Sequence, residues 1–240
     1  MSLTSTAQSR KAGELDRLLQ AARDMALPLT EPVAQRLLDY LVLLQRWNKV
    51  YNLTALREPE QMFSYHLLDC LAALPALDRG LALRTSSNIR VLDVGSGGGL
   101  PGVVLAILRP HWHVHCVDAV AKKVGFIRQV AAELQLSNLQ GLHTRVENLT
   151  PPAQGSIDGA ELGYQLLTSR AFASLSDFVR LTESLLAADG VWAAMKANPT
   201  PQELAEVPST VNVFHVEQLQ VPGLDAQRCL VWMRPRAPAT

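Results

Sequence analysis

The sequence predicts an α/β fold with a doubly wound, mostly parallel sheet of seven strands, and three observations predict it. From residue 89 onward, short apolar segments alternate with stretches of helical periodicity. A glycine-rich turn follows the first apolar segment, as at the ligand-binding corner of such sheets. The last two apolar segments have no long helix between them, which suits an antiparallel C-terminal hairpin at the sheet edge. The core is therefore expected over residues 89–240.

Residues 1–88 are expected to form an N-terminal helical extension ahead of this core. Residues 1–11 are polar and are expected to be disordered. Apolar residues at helical spacing predict three helices, over residues 13–27, 30–49 and 60–74. Pro75 is expected to end the third helix, because proline cannot donate the next helical hydrogen bond. Residues 78–88 show no clear period and are expected to form a loop or linker.

The elements of the core follow from the same periodicities. Strands are predicted near residues 89–94, 113–117, 139–143, 164–169, 190–196, 210–219 and 228–234. Helices are predicted near residues 101–109, 120–135 and 174–187, with a short one near 201–206. A looser turn is expected near 144–150, and residues 151–163 are expected to form a loop because they are small and turn-rich.

Composition limits the function only loosely. Lys plus Arg and Asp plus Glu both number 22, so the zero net charge gives no sign of a nucleic-acid partner. Residues 89–150 carry six basic and four acidic side chains, a local excess of two positive charges. Three cysteines without C-x-x-C spacing suggest neither a metal site nor a disulfide framework. Since no apolar signal segment or membrane span is visible, we expect a cytoplasmic protein without membrane contact. We also expect a monomer.

The glycine-rich turn, within residues 91–102, indicates a nucleotide-like ligand. Three of its glycines match the dinucleotide motif G-x-G-x-x-G, namely Gly97, Gly99 and Gly102. Asp93 precedes them, and its carboxylate would repel a pyrophosphate but suit the ammonium and sulfonium of S-adenosyl-L-methionine. The spacing Asp93-x-Gly95-x-Gly97-x-Gly99 resembles motif I of class I (Rossmann-like) methyltransferases. A turn that is merely tight and binds nothing is the third alternative.

A second acid supports a nucleoside ligand. Asp118 ends the next predicted strand, about 20 residues beyond the glycine turn, where an acid can accept from both ribose hydroxyls. The structural alternative is an N-cap of the helix that begins near Val120. The two roles are compatible, and we expect ribose binding.

Several segments, in order along residues 30–234, are together similar to one family. They are Trp47-Asn48-Lys49-Val50-Tyr51-Asn52-Leu53-Thr54, His66-Leu67-Leu68-Asp69, the glycine turn, Lys122-Lys123-x-x-Phe126-Ile127, Arg145-Val146-Glu147, Ser169-Arg170-Ala171-Phe172 and Met195-Lys196. They resemble the RsmG (GidB) family, which methylates guanine N7 in 16S rRNA. The resemblance implies the class I methyltransferase fold, S-adenosyl-L-methionine as cofactor and the small ribosomal subunit as partner. It implies cofactor contacts at Gly95, Leu100, Val146, Glu147 and Arg170.

Guanine N7 has a lone pair and no proton, so its methylation needs alignment and no general base. We therefore assign no catalytic acid or base. Phe172 is either a stacking surface for the target base or a core aromatic. RNA contacts are expected from Lys122, Lys123, Arg128 and Lys196, for which solvated helix faces are the alternative. Polar residues around the extension are expected to dock it on the core, namely Lys49, Asn52, His66 and Asp69.

Two other classes of function remain open at the level of sequence. Zero net charge would suit a methyltransferase acting on a small molecule or a protein. The G-x-G-x-x-G match would suit a nucleotide-binding module without catalysis, such as an NAD-dependent regulator.

Overall fold

A computed structural model describes residues 3–82, 89–151 and 163–236, with side chains from residue 12 onward. Seven strands form one sheet in the order β3-β2-β1-β4-β5-β7-β6. They are β1 (Arg90–Val94), β2 (His113–Asp118), β3 (Leu139–His143), β4 (Tyr164–Arg170), β5 (Leu186–Lys196), β6 (Val211–Gln218) and β7 (Cys229–Pro235). The predicted fold class is confirmed, including the antiparallel C-terminal strands. Most of the predicted loop 151–163 lies outside the described residues.

The centre of the sheet sets the position of the site. β1 pairs in parallel with β2 on one side and with β4 on the other, so the strand order reverses there. At such a switch point, connections leave to opposite faces and a crevice opens at the carboxyl ends of the strands. The glycine turn leaves β1 at this crevice, as predicted.

The helices of the core agree with their predicted periods, apart from their ends. They are α5 (Gly102–Leu108), α6 (Ala121–Glu133), α7 (Leu175–Thr182) and α8 (Pro201–Ala205). Helix α7 was predicted to reach residue 187, but a 3-10 turn follows Thr182 and β5 begins at Leu186. The physical reason is pairing with β4, in which Leu186 lies opposite Tyr164. Tertiary pairing here overrides local helical periodicity.

The extension is helical, but its boundaries differ from the predicted ones. It comprises α1 (Leu3–Asp24), α2 (Glu31–Tyr51), α3 (Pro59–Met62), a π-helical turn (Phe63–Leu68) and α4 (Asp69–Leu81). The structure places residues 3–11 in a helix where disorder was expected, since adding residues to a formed helix costs little. Pro75 lies inside α4 and does not end it. Its neighbours Ala76 and Leu77 are fully buried, and their packing holds the helix past the proline.

The extension covers one face of the sheet. Its buried side chains join those of α5 and α6 in one apolar cluster, while α7 packs on the opposite face. In the part of the chain that is described, no helix has the length and apolar character needed to cross a membrane.

Candidate functional site

The turn between β1 and α5 uses its glycines for two different reasons. Gly95, Gly97 and Gly99 have φ values of +67°, +56° and +84°, a region that side chains disfavour. A methyl group on Gly99 would overlap Val103, so that glycine also serves helix packing. A methyl group on Gly95 would have only Phe172 Cδ2 within reach, at 3.9 Å. The backbone at Gly95 is therefore open to a ligand.

Two cavities meet at this turn. The first cavity, of about 530 Å³, is lined by the glycine turn, residues 53–56, the π-helical turn and the ends of β4 and β5. The second cavity, of about 230 Å³, lies over the ends of β1 and β2 beside the 3-10 turn Val146–Asn148. Gly95 lines both cavities. An elongated ligand could therefore cross the switch point with its middle over Gly95.

Besides Gly95, the second cavity contains three of the residues predicted to bind the cofactor. Asp118, Val146 and Glu147 all line it. Asp118 accepts from the N–H of Gly97 (3.0 Å) and from that of Val120 (2.8 Å), so its carboxylate ties the glycine turn to the start of α6. It is not the N-cap itself, because α6 begins at Ala121 and Val120 holds that position.

Asp93 is positioned differently from the sequence prediction. Its carboxylate is fully buried beneath the turn, where Oδ2 accepts from the N–H of Gly102 at 2.8 Å, and it lines neither cavity. The reason is that the first N–H groups of a helix lack partners, and this carboxylate satisfies one of them. Burial raises the pKa of Asp93 to about 7, although the hydrogen bond from Gly102 opposes the shift. Asp93 therefore supports the turn from below and is not part of either cavity wall.

Gly97 and Leu100 line the first cavity, as does Arg170 at the end of β4. The Arg170 guanidinium donates to the Tyr65 carbonyl (2.9 Å) and to His66 Nδ1 (3.3 Å), and contacts Asp69 Oδ2 at 3.4 Å. This ion pair is not on the surface, because Asp69 is buried.

His66 has a fixed protonation state in this wall. Arginine N–H groups only donate, so Nδ1 accepts from Arg170 and the proton lies on Nε2, which donates to Thr54 Oγ1 at 2.7 Å. Burial and the adjacent Arg170 charge lower the pKa of His66 to about 4. The imidazole is therefore neutral at physiological pH.

One cavity-lining residue had no signal in the sequence. Arg228 lies just before β7, and its Nε donates to Asp69 Oδ1 at 2.8 Å. Asp69 therefore accepts from two arginines, one on each carboxylate oxygen. His66 and Asp69 were predicted to dock the extension on the core, which they do through Arg170, but their place in a cavity wall was missed. Lys49 is exposed and has no such docking role, and Asn52 caps α2 in a left-handed conformation.

The residues predicted to contact RNA do not form one group. Lys122 is exposed on α6, and Lys123 lies 3.5 Å from Asp118. Arg128 is exposed and donates through Nε to the Gly141 carbonyl. Lys196 is largely buried, because its ammonium bonds Glu203 (2.6 Å) and the Phe172 carbonyl (3.0 Å). Lys196 thus lines the first cavity, but its ammonium is already bonded to groups of the protein itself.

Phe172 lies on the side of the turn that faces the second cavity. Its ring lines the second cavity and packs on Phe178, with centroids 5.5 Å apart. This contact fits the interpretation of Phe172 as a core aromatic residue. Gly95 would separate Phe172 from a base bound in the first cavity.

The sheet order, the antiparallel C-terminal strands and the glycine turn at the switch point define a class I methyltransferase fold. Two solved structures share this fold. MtNAS in complex with MTA and tNA is 14% identical, with a TM-score of 0.52, over 92% of this chain and 82% of that one. A predicted O-methyltransferase, protein Atu636 from Agrobacterium tumefaciens, is 17% identical, with a TM-score of 0.50, over 71% and 81%.

Within that class, the chain belongs to the GidB family, whose model, described as rRNA small subunit methyltransferase G, matches residues 33–231. A ribosomal RNA small subunit methyltransferase G from Albidiferax ferrireducens is 54% identical over 93% of this chain and 99% of its own length. The protein of the same name from Leptothrix cholodnii is 55% identical over 94% and 97%. The family resemblance found in the sequence is confirmed, and the protein is a methyltransferase.

Proposed function

We propose that this protein transfers a methyl group from S-adenosyl-L-methionine to N7 of a guanine in 16S rRNA, within the small ribosomal subunit. The observation that carries the proposal is the state of the acid and the imidazole that line the first cavity, Asp69 and His66. Each is already bonded inside the protein, within the residues that the structure describes. A site of this kind suits an acceptor that has a lone pair and no proton to remove.

The residues around the turn fit the cofactor. Gly95 leaves open backbone between the two cavities, where only Phe172 approaches an added methyl group. Glu147 lines the second cavity, where its carboxylate would accept from the adenine amino group, and Asp118 lines the same cavity, where it would accept from the ribose hydroxyls. Arg170 lines the first cavity, where it would hold the cofactor carboxylate. When bound, the cofactor supplies an electrophilic methyl group on its sulfonium.

The protein's part in the reaction is alignment. His66 is neutral with both ring nitrogens engaged, so it is not a proton acceptor at pH 7. Asp69 is bonded to two guanidinium groups, one on each carboxylate oxygen, so both of its oxygens are already engaged within the protein. What remains is to hold a base and a methyl donor in line and to exclude water, an effect worth about 7–11 kcal/mol in well-oriented reactions.

The test uses small subunits from cells that lack the modification. Incubation with the protein and methyl-labelled S-adenosyl-L-methionine should give 7-methylguanosine after digestion of 16S rRNA. Glu147→Gln should weaken cofactor binding in calorimetry, and Lys122→Ala, on the exposed face of α6, is the matched control for that binding.

The two other functional classes give different results in the same assay. Label in protein or in a small molecule, with unlabelled rRNA, would support the alternative methyltransferase and refute the rRNA proposal. Calorimetric binding of NAD in place of S-adenosyl-L-methionine would refute the cofactor named in the proposal.

A further inference from the structure

One aromatic side chain faces the first cavity. Of the Phe, Tyr and Trp residues that the structure describes, only Tyr65 lines this cavity, and Tyr65 is 40% exposed. Single exposed hydrophobic residues are ordinary on protein surfaces and carry no meaning alone. Tyr65 differs because it shares the cavity with apolar side chains from other parts of the chain, namely Leu53, Leu56 and Leu219. The cavity wall therefore combines apolar side chains with one exposed tyrosine.

The backbone of Tyr65 is held firmly although its ring is exposed. It lies in the π-helical turn Phe63–Leu68, a conformation that is rare and is often found at functional sites. Its carbonyl accepts from Arg170 at the end of β4, and the next residue, His66, is bonded on both ring nitrogens. The position of this aromatic residue is therefore fixed relative to the carboxyl end of the sheet, where the reaction takes place.

We infer that Tyr65 stacks on the target guanine in the first cavity, and this inference rests on the proposed function. A base acted on by an enzyme leaves its own stack and is commonly held against an aromatic side chain. Methylation at N7 leaves the guanine ring positively charged, so a tyrosine face would attract the product more strongly than the substrate. Phe172, the aromatic expected from sequence, lines the second cavity instead. Tyr65 thus acts on the RNA side of Gly95.

Three substitutions separate stacking from bulk and from the hydroxyl. Tyr65→Phe keeps the ring, Tyr65→Leu keeps apolar volume without a ring, and Tyr65→Ala removes both. Phe214→Ala is the matched control, because Phe214 is 43% exposed on the edge strand β6 and lines neither cavity. For each variant, kcat and KM on unmodified small subunits are measured, with Kd for S-adenosyl-L-methionine from calorimetry.

Base stacking on an aromatic ring corresponds to a loss of about 5- to 150-fold in kcat/KM when the ring is removed. Tyr65→Leu and Tyr65→Ala should both show that loss with unchanged cofactor affinity, while Tyr65→Phe and Phe214→Ala should stay close to wild type. Equal activity of Tyr65→Leu and wild type would overturn the stacking role, as would a defect in Tyr65→Phe as large as that in Tyr65→Ala. Parallel loss of cofactor affinity would mean a structural role and would overturn it too. If the wild-type protein fails to label rRNA, the proposed function is refuted. The inference that Tyr65 stacks on a guanine is then refuted as well.

Discussion

The start of α5 should tolerate no side chain at Gly102. A methyl group there would overlap the Cys116 sulfur and lie 2.9 Å from Asp93 Oδ2 and 3.1 Å from Asp93 Cβ. These groups are buried on β1 and β2 in the middle of the sheet, so they have little room to move. Overpacking of this kind costs about 1–3 kcal/mol, so Gly102→Ala should lower the free energy of unfolding by that amount. Loss of the hydrogen bond from Gly102 to Asp93 would add about 1.5–3 kcal/mol.

Gly125→Ala is the matched control for this substitution. Gly125 lies inside α6, and an added methyl group would have no atom within 4 Å apart from its chain neighbours and the backbone of its own helix. Alanine is favoured over glycine in a helix interior by about 1 kcal/mol, so Gly125→Ala should raise the free energy of unfolding. The same chemical change should therefore have opposite signs at the two positions.

The assay is urea unfolding followed by circular dichroism, with midpoint and slope compared among variants. A further substitution, Cys116→Ala, removes the sulfur that blocks the added methyl group. The double variant Gly102→Ala/Cys116→Ala should be more stable than the sum of the single effects, with a coupling of about 0.5–3 kcal/mol. A wild-type midpoint for Gly102→Ala, or strict additivity with Cys116→Ala, would refute the packing argument.

Three further predictions concern the buried charged and titratable groups. Asp69→Asn should lower the free energy of unfolding by about 3–5 kcal/mol, because it leaves two largely buried guanidinium groups without a carboxylate; a wild-type urea midpoint would count against this. The pKa of Asp93 is raised from its ordinary value near 4 to about 7 in the folded state. Between pH 4 and pH 7 the folded protein therefore keeps a proton on Asp93, whereas the unfolded chain has released it. Stability conferred by this group therefore falls as pH rises through that range, and Asp93→Asn should remove the fall in urea titrations from pH 5 to 8; identical pH slopes in both proteins would contradict it. Since the pKa of His66 is lowered to about 4, its ring NMR resonances should stay constant from pH 8 to 5, and a midpoint near 6.5 would contradict the buried, neutral assignment.

The centre of the sheet was predictable because strands such as β1 and β4 are short, buried segments bounded by turns or helices. The central strand β1 is buried along its whole length, and its apolar residues end abruptly at glycine. The glycine turn was equally predictable, because its backbone adopts positive φ values and glycine is the residue that adopts them at little steric cost. The turn between β1 and α5 can therefore be recognised from a contiguous stretch of sequence.

The side of β1 on which a residue lies was harder to predict. The sequence put Asp93 correctly at the end of β1, but its register opposite Cys116 points it beneath α5 and away from the cavities. Pro75 was judged by its local chemistry alone, and burial of the residues around it outweighs that chemistry. Arg228 is a lone arginine with no periodicity around it, so nothing local marks it as part of a cavity wall. Long-range contacts decided all three.

The two arginines that meet Asp69 lie 101 and 159 residues beyond it along the chain. Since a chain is synthesised from its N-terminus, the extension emerges from the ribosome long before either guanidinium exists. The Asp69 carboxylate therefore stays solvated until β4 and then β7 have been synthesised and have joined the sheet. The wall of the first cavity is therefore among the last parts of the molecule to form, and a nascent chain that stops short of Arg228 would leave it incomplete.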